Sequence, residues 1–211
     1  MEVIWKKIRS ILDNSKSMLC IYEETTENGQ IECEKLNIPA DSVLASVVMN
    51  CSGICIDNWI RILGQGSEKR NGVLYYNTLI DNRCLDGMFI VANDVVGGIY
   101  AINISRFENE KSIVWYFAPD TLQWESLGMR YLDFIAWTAC GNTSEFYETM
   151  RWNEWIMDCK NIEFDSGYLI YPFLWANECD INSANKKMVS FDELMKLNFE
   201  YYNKLSHIKY E

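Results

Sequence analysis

Histidine is nearly absent from this sequence: His207 is the only one among 211 residues. A serine or cysteine nucleophile usually takes its proton acceptor from histidine. With that imidazole in a polar C-terminal stretch, the sequence shows no recognisable Ser–His or Cys–His catalytic set. Basic residues are also scarce, 19 Lys and Arg against 30 Asp and Glu, for a net charge of -11. A surface of that sign repels phosphate backbones and anionic lipid and attracts basic partners. Nucleic acid is therefore not an expected ligand. No apolar run approaches the roughly 18 residues of a membrane-spanning helix. The opening Met1-Glu2-Val3-Ile4-Trp5-Lys6-Lys7 has no apolar core of a signal peptide. The expectation is a cytoplasmic protein with no membrane association.

Cysteine is not scarce: Cys20, Cys33, Cys51, Cys55, Cys84, Cys140, Cys159 and Cys179 make eight. Zinc would want two closely spaced pairs, and only Cys51 and Cys55 are close. Without a secretory signal, disulfides are not needed. The thiols are read as free and buried, and no metal or cofactor is expected. A hydrophobic fraction of 49% with 14% aromatics can fill a sizeable core and is incompatible with disorder. The length suits one domain over residues 1–211, with a core at about 36–180 and a C-terminal helix over 188–211. Asn182, Ser183, Asn185, Lys186 and Lys187 form the polar link between them.

Periodicity predicts a first helix over Val3–Leu12 and a short strand over Cys20–Glu24. Thr25–Gly29 reads as a turn. The glutamates Glu23, Glu24, Glu27, Glu32 and Glu34 read as a solvated face or part of a partner surface. Pro39 is placed at the start of a second helix, with Gly53 as its C-terminal cap. Ile54–Leu63 reads as one strand closed by Gly64-Gln65-Gly66-Ser67, and Val73–Tyr76 as a further short one. Met88–Ala92, Ile99–Ile104 and Ser112–Phe117 read as an antiparallel meander with Gly97-Gly98 in a hairpin. After Pro119 the chain is expected to be helical. Tyr131–Cys140 is stopped by Gly141, and a long helix runs over Phe146–Lys160 from a box formed by Asn142 and Glu145. Tyr168–Trp175 is extended, with Pro172 confining it to an edge. Ser190 and Glu193 cap a last helix reaching Leu205. The pattern describes an α+β protein with a mixed, largely antiparallel sheet flanked by helices.

Three chemistries have residues of the right type here, and each competes with a plainer reading. Glu145 with Glu148, and Asp94 with Asp120, are carboxylate pairs of the kind glycosidases use, but 30 acids supply such pairs by chance. Gly64-Gln65-Gly66-Ser67-Glu68-Lys69-Arg70 contains Gly-x-Gly without a full dinucleotide fingerprint or a phosphate-binding Gly-Lys-Ser/Thr; a turn is the better reading. Trp59, Trp115, Trp124, Trp137, Trp152, Trp155 and Trp175 are read mainly as core, with Trp124 and Trp152 at a surface groove. Arg61 suits a local acid or a partner carboxylate.

Several stretches together carry a family resemblance. They are Asp57-Asn58-Trp59-Ile60-Arg61-Ile62-Leu63-Gly64, Val91-Ala92-Asn93-Asp94-Val95-Val96-Gly97-Gly98 with Tyr100-Ala101-Ile102-Asn103, and Tyr116-Phe117-Ala118-Pro119-Asp120-Thr121-Leu122-Gln123-Trp124-Glu125. Phe134-Ile135-Ala136-Trp137, Phe146-Tyr147-Glu148, Arg151-Trp152 and Pro172-Phe173-Leu174-Trp175 follow. Over about residues 36–197 the chain resembles a bacterial domain-of-unknown-function family of the DUF2625 type. In layout it is also similar to the SUKH superfamily: a Pro-led helix, a Gly turn, strands, an Asp-x-x-Gly-Gly hairpin, a strand and a helix with Phe and Trp. The SUKH resemblance implies an α+β fold and a non-catalytic role as an immunity protein that neutralises a bacterial toxin. A basic toxin would suit the negative charge. The partner-binding residues expected on this reading are Trp59, Arg61, Asp94, Asp120, Trp124, Glu125 and Trp152, in a monomer or homodimer. The alternatives are a small-molecule or sugar-acting enzyme using Asp94, Asp120 and Glu125, and a structural adaptor or homo-oligomer using exposed aromatics.

Overall fold

The computed structural model describes residues 2–23, 28–78 and 83–208, without the side chains of 83 and 206–208. The elements run α1 (Glu2–Asp13), β1 (Leu19–Tyr22), α2 (Gly29–Lys35), α3 (Val43–Asn50), β2 (Gly53–Ile56), β3 (Ile60–Leu63), α4 (Val73–Thr78), β4 (Met88–Asp94) and β5 (Ile99–Asn103). They continue β6 (Ile113–Ala118), β7 (Gln123–Arg130), α5 (Tyr131–Cys140), α6 (Thr143–Phe146), α7 (Trp155–Asp158), β8 (Ser166–Tyr171), β9 (Asn185–Ser190) and α8 (Phe191–Ile208). The fold is α+β. Seven antiparallel strands lie in chain order β1 to β7, and β8 and β9 form a separate two-stranded sheet. Among the described residues no helix is long and apolar enough to cross a membrane.

Each neighbour in the large sheet follows its predecessor in sequence, so no connection skips a strand. Register then assigns faces, since directly opposed residues project to the same side. Ile60 opposes Asp94, Ile62 opposes Ala92, and Tyr100 opposes Tyr116. This face meets α5, where Phe134 packs on Tyr100 at 4.8 Å between ring centroids. Helices α1 and α3 pack beside α5. On the opposite face Ile99 opposes Phe117, and Phe117 packs on Phe199 and Tyr202 of α8 at 5.6 and 5.8 Å. Helix α8 also covers the β8–β9 pair.

Helix α1, the β4–β5–β6 meander, α5 and the last helix stand close to where periodicity puts them. Ser190 accepts from Glu193 N–H at 3.2 Å, as its capping position requires. Other expectations are corrected. Pro39 lies in a turn, and α3 starts later, with Ser42 Oγ accepting from Ala45 N–H at 3.0 Å. Gly53 opens β2 rather than capping α3. The expected strand 54–63 is a hairpin: Asp57 and Asn58, at φ 54° and 52°, make the left-handed two-residue turn that matches strand twist. Val73–Tyr76 is helical despite its β-forming side chains. Asn77 fixes it there, bonding Val73 O and both backbone groups of Ile90, and so acts as a side-chain substitute for a strand neighbour.

The chain after Pro119 is strand β7, not helix. A bulge between its pairings Ser126–Trp115 and Met129–Val114, with Gly128 at φ 64°, shifts the inward phase and hides the alternation. The expected helix over 146–160 is broken into α6 and α7, and Asn153 N–H is held by Asn182 Oδ1 at 3.0 Å. Part of the polar link is strand β9. In the glutamate-rich stretch, Glu24, Glu27 and the turn residues 25–27 lie outside the described residues. Gly29–Lys35 is helical, and Glu32 is buried rather than solvated. All eight thiols are free; Cys33, Cys51, Cys55, Cys84 and Cys159 are buried, but Cys20 is exposed and Cys140 and Cys179 are half-buried.

Candidate functional site

The β4–β5 connection is a three-residue loop, with Asp94 N–H on Gly98 O at 3.0 Å and Gly97 at φ 95°. The loop turns the Asp94 carboxylate inward, where it is fully buried. Its Oδ1 accepts from Val96 N–H at 3.0 Å and Gly98 N–H at 2.9 Å. Its Oδ2 accepts from the Tyr116 hydroxyl at 2.7 Å and the Tyr147 hydroxyl at 3.1 Å. The Tyr147 and Tyr100 hydroxyls are hydrogen-bonded in turn. Burial pushes the Asp94 carboxyl above the ordinary carboxylate range, and the four donors oppose it. Burial first, then the nearby carboxylate, pushes the three phenols up, so they remain donors. Gly98 is required: a Cβ there would collide with Asp94 Oδ2 and the Tyr116 hydroxyl.

Tyr147 connects this hub to a second cluster. Its ring packs on Trp59 at 5.4 Å, and Trp59 also meets Trp152 at 5.7 Å and Trp155 at 5.2 Å. The Arg151 guanidinium lies over Trp155, Tyr147 and Trp59 at 4.1, 4.9 and 5.1 Å from their ring centroids. Trp152 Nε1 donates to Asp158 Oδ2 at 2.6 Å. These contacts explain why the expected long helix breaks: the chain between α6 and α7 is held by its aromatic side chains. They also fix what faces outward. Ile156 and Met157 are 64% and 77% exposed. The acids Glu145, Glu148, Glu154 and Asp158 are exposed on the same segment.

Arg61 belongs to the opposite face. Cys20, Cys55, Arg61 and Asn93 oppose one another across β1, β2, β3 and β4 and form one column of side chains. Arg61 is fully buried; its Nη2 donates to Glu163 O at 3.2 Å, while Nε and Nη1 have no hydrogen-bond partner. Burial lowers its pKa. The expected carboxylate partner is replaced by a backbone carbonyl.

The sequence-predicted residues therefore fall into separate places. Trp59, Asp94 and Trp152 share the aromatic region through Tyr147. Arg61 lies across the sheet. All four are buried, so their side chains are not available to a docking protein in this conformation. Asp120 lies in the β6–β7 turn, and Trp124 and Glu125 stand at the start of β7. Asp120 is half-buried, and its carboxyl is raised by burial. Trp124 Nε1 donates to Cys84 O at 3.0 Å, and the exposed Glu125 accepts from Thr121 Oγ1 at 3.0 Å. Among the described residues no three His, Cys, Asp or Glu side chains gather as metal ligands. The sequence reading missed Tyr100, Tyr116, Tyr147 and Arg151, which build the core of the site, and the exposed Ile156–Met157 pair. The run Glu154-Trp155-Ile156-Met157-Asp158, three apolar residues bracketed by two acids, was the available signal.

A family model described as "Protein of unknown function DUF2625" matches residues 1–194. The chain belongs to the DUF2625 family. The match reaches the N-terminus, further than the stretch that carried the resemblance. Two relatives are similar along most of their length. "Putative uncharacterized protein YbfG" of Escherichia coli strain K12 is 28% identical over 201 residues, covering 93% of this chain and 90% of that one. An "Uncharacterized protein" of Haemophilus influenzae is 26% identical over 206 residues, covering 95% and 90%. The Asp94 hub, the broken α6–α7 segment and the Arg61 column all lie inside the part of this DUF2625 protein that the family model matches.

Proposed function

We propose that this DUF2625 protein is a non-catalytic protein-binding domain that docks a basic protein on the α6–α7 surface. The observation that carries this reading is the exposure of Ile156 and Met157, flanked in the chain by the exposed acids Glu154 and Asp158, on a segment held from behind by Trp59, Trp152 and Trp155. Adjacent apolar side chains held rigidly at the surface supply desolvation energy at little entropic cost. Carboxylates around them select a basic partner and speed its arrival. The net charge of -11 extends the same attraction over longer range. The setting we propose, resting on the sequence resemblance to SUKH domains alone, is an immunity protein acting in the cytoplasm, with a basic toxin as its partner.

The test is protection. Cells expressing a basic toxin encoded beside this gene should survive when this protein is co-expressed. They should die when it carries Ile156→Asp with Met157→Glu. Death with either protein, or survival with both, would refute the reading.

A further inference from the structure

Two cysteines that sequence distance separates are brought face to face by the sheet. In the β1–β2 register Cys20 is directly opposite Cys55. The bond from Asp57 N–H to Met18 O, 2.8 Å, sets the parity of the ladder. Pairs 18/57 and 20/55 are therefore hydrogen-bonded pairs, whose Cα atoms stand about 5.5 Å apart. That separation is within the range disulfides use. Cys20 is exposed and Cys55 is buried, so one thiol is accessible to a reagent and the other is shielded behind it. The next member of the column is Arg61, whose guanidinium has two nitrogens without partners. A cation beside a sulfur favours its thiolate.

We infer that Cys20 and Cys55 form a reversible thiol–disulfide pair, with Cys20 as the attacking thiol and Cys55 as the resolving one. The oxidant is a low-molecular-weight disulfide. The Cys20 thiolate attacks one of its sulfurs, forming a mixed disulfide and releasing one thiolate, which takes up the Cys20 proton. Cys55 sulfur then attacks the Cys20 sulfur and expels the second thiolate, to which the Cys55 proton passes. Two protein thiols are oxidised to one disulfide, and one small disulfide is reduced to two thiols. Burial pushes the Cys55 thiol up to about 11, opposed first by Arg61, so the reaction begins at Cys20 rather than at Cys55. Closure ties edge strand β1 to β2 around the intervening α2 and α3, and so restricts the unfolded chain.

The experiment treats the reduced full-length chain with glutathione disulfide, then measures thiols in denaturant, intact mass, linked peptides and melting temperature. The inference expects two of the eight thiols to be lost. It also expects a Cys20–Cys55 linked peptide, no retained glutathione, and a melting temperature raised by several degrees. Cys20→Ser should lose no thiols, Cys55→Ser should stop at a glutathione adduct on Cys20, and Cys33→Ser should behave as the parent. A permanent glutathione adduct in the parent would overturn the inference. So would eight unchanged thiols, or a linkage through any other pair.

Discussion

Asp94 accepts four hydrogen bonds while fully buried, two from the loop that its own position closes and two from phenols of β6 and the segment after α6. Removing the carboxylate leaves those donors without an acceptor in a site closed to water. Asp94→Ala is expected to lower unfolding free energy by about 3–5 kcal/mol. Asp94→Asn should cost less, because its carbonyl still serves the two backbone N–H groups and the phenols can turn to accept from the amide. Equal losses in urea unfolding would show that the hub does not act through these bonds. Glu32 offers a test in pH. Burial lifts its carboxyl to about 7, opposed by Lys35. A carboxyl raised in the folded state binds its proton more tightly there than in the unfolded chain. Its contribution to stability is therefore full below the ordinary carboxylate range and is lost as pH rises through about 7. The parent should lose stability relative to Glu32→Gln across that window. A parallel pair of stability–pH curves would contradict the assignment. At this scale the sequence was only partly informative. The Asp-x-x-Gly-Gly spacing marked a hairpin, but the tyrosines that complete the hub come from β5, β6 and a distant turn, and no local pattern joins them.

Among the elements, the turn between β2 and β3 has the clearest local chemistry. Asp57 takes a left-handed conformation, and its Oδ1 accepts from Met18 N–H at 2.8 Å. Asp57→Ala forfeits both the tolerance for that conformation and the tie to β1, at an expected cost of about 1–3 kcal/mol. Asp57→Asn should recover most of it. Thermal or urea unfolding compares the two, and an alanine variant as stable as the parent would remove the turn from the account. Strong local signals account for what sequence reading recovered: the helical stripe of α1, the apolar runs of β4, β5 and β6, and the Gly141 stop after α5. It failed where tertiary contacts override local preference. Asn77 holds a β-prone run as α4, a bulge disguises β7, and the rings around Arg151 break what periodicity reads as one helix. The outward pair Ile156–Met157 was hidden by that last error, since a continuous helix would have turned its apolar positions inward.

On the scale of the whole molecule, the seven-strand meander carries helices α1, α3 and α5 on one face and α8 with the small sheet on the other. The net charge of -11 surrounds this framework. Long-range attraction of that kind weakens as the screening length shrinks with added salt, whereas apolar contact at α7 does not. The two contributions to docking can thus be separated. The most direct measurement compares the parent with the Ile156→Asp, Met157→Glu variant as baits in the native lysate, at low and moderate salt, with captured proteins quantified by mass spectrometry. The account predicts a basic protein retained by the parent, diminished as salt rises, and reduced about tenfold or more on the variant at both salts. The same basic protein captured equally by parent and variant, or no basic protein captured by the parent, would contradict it.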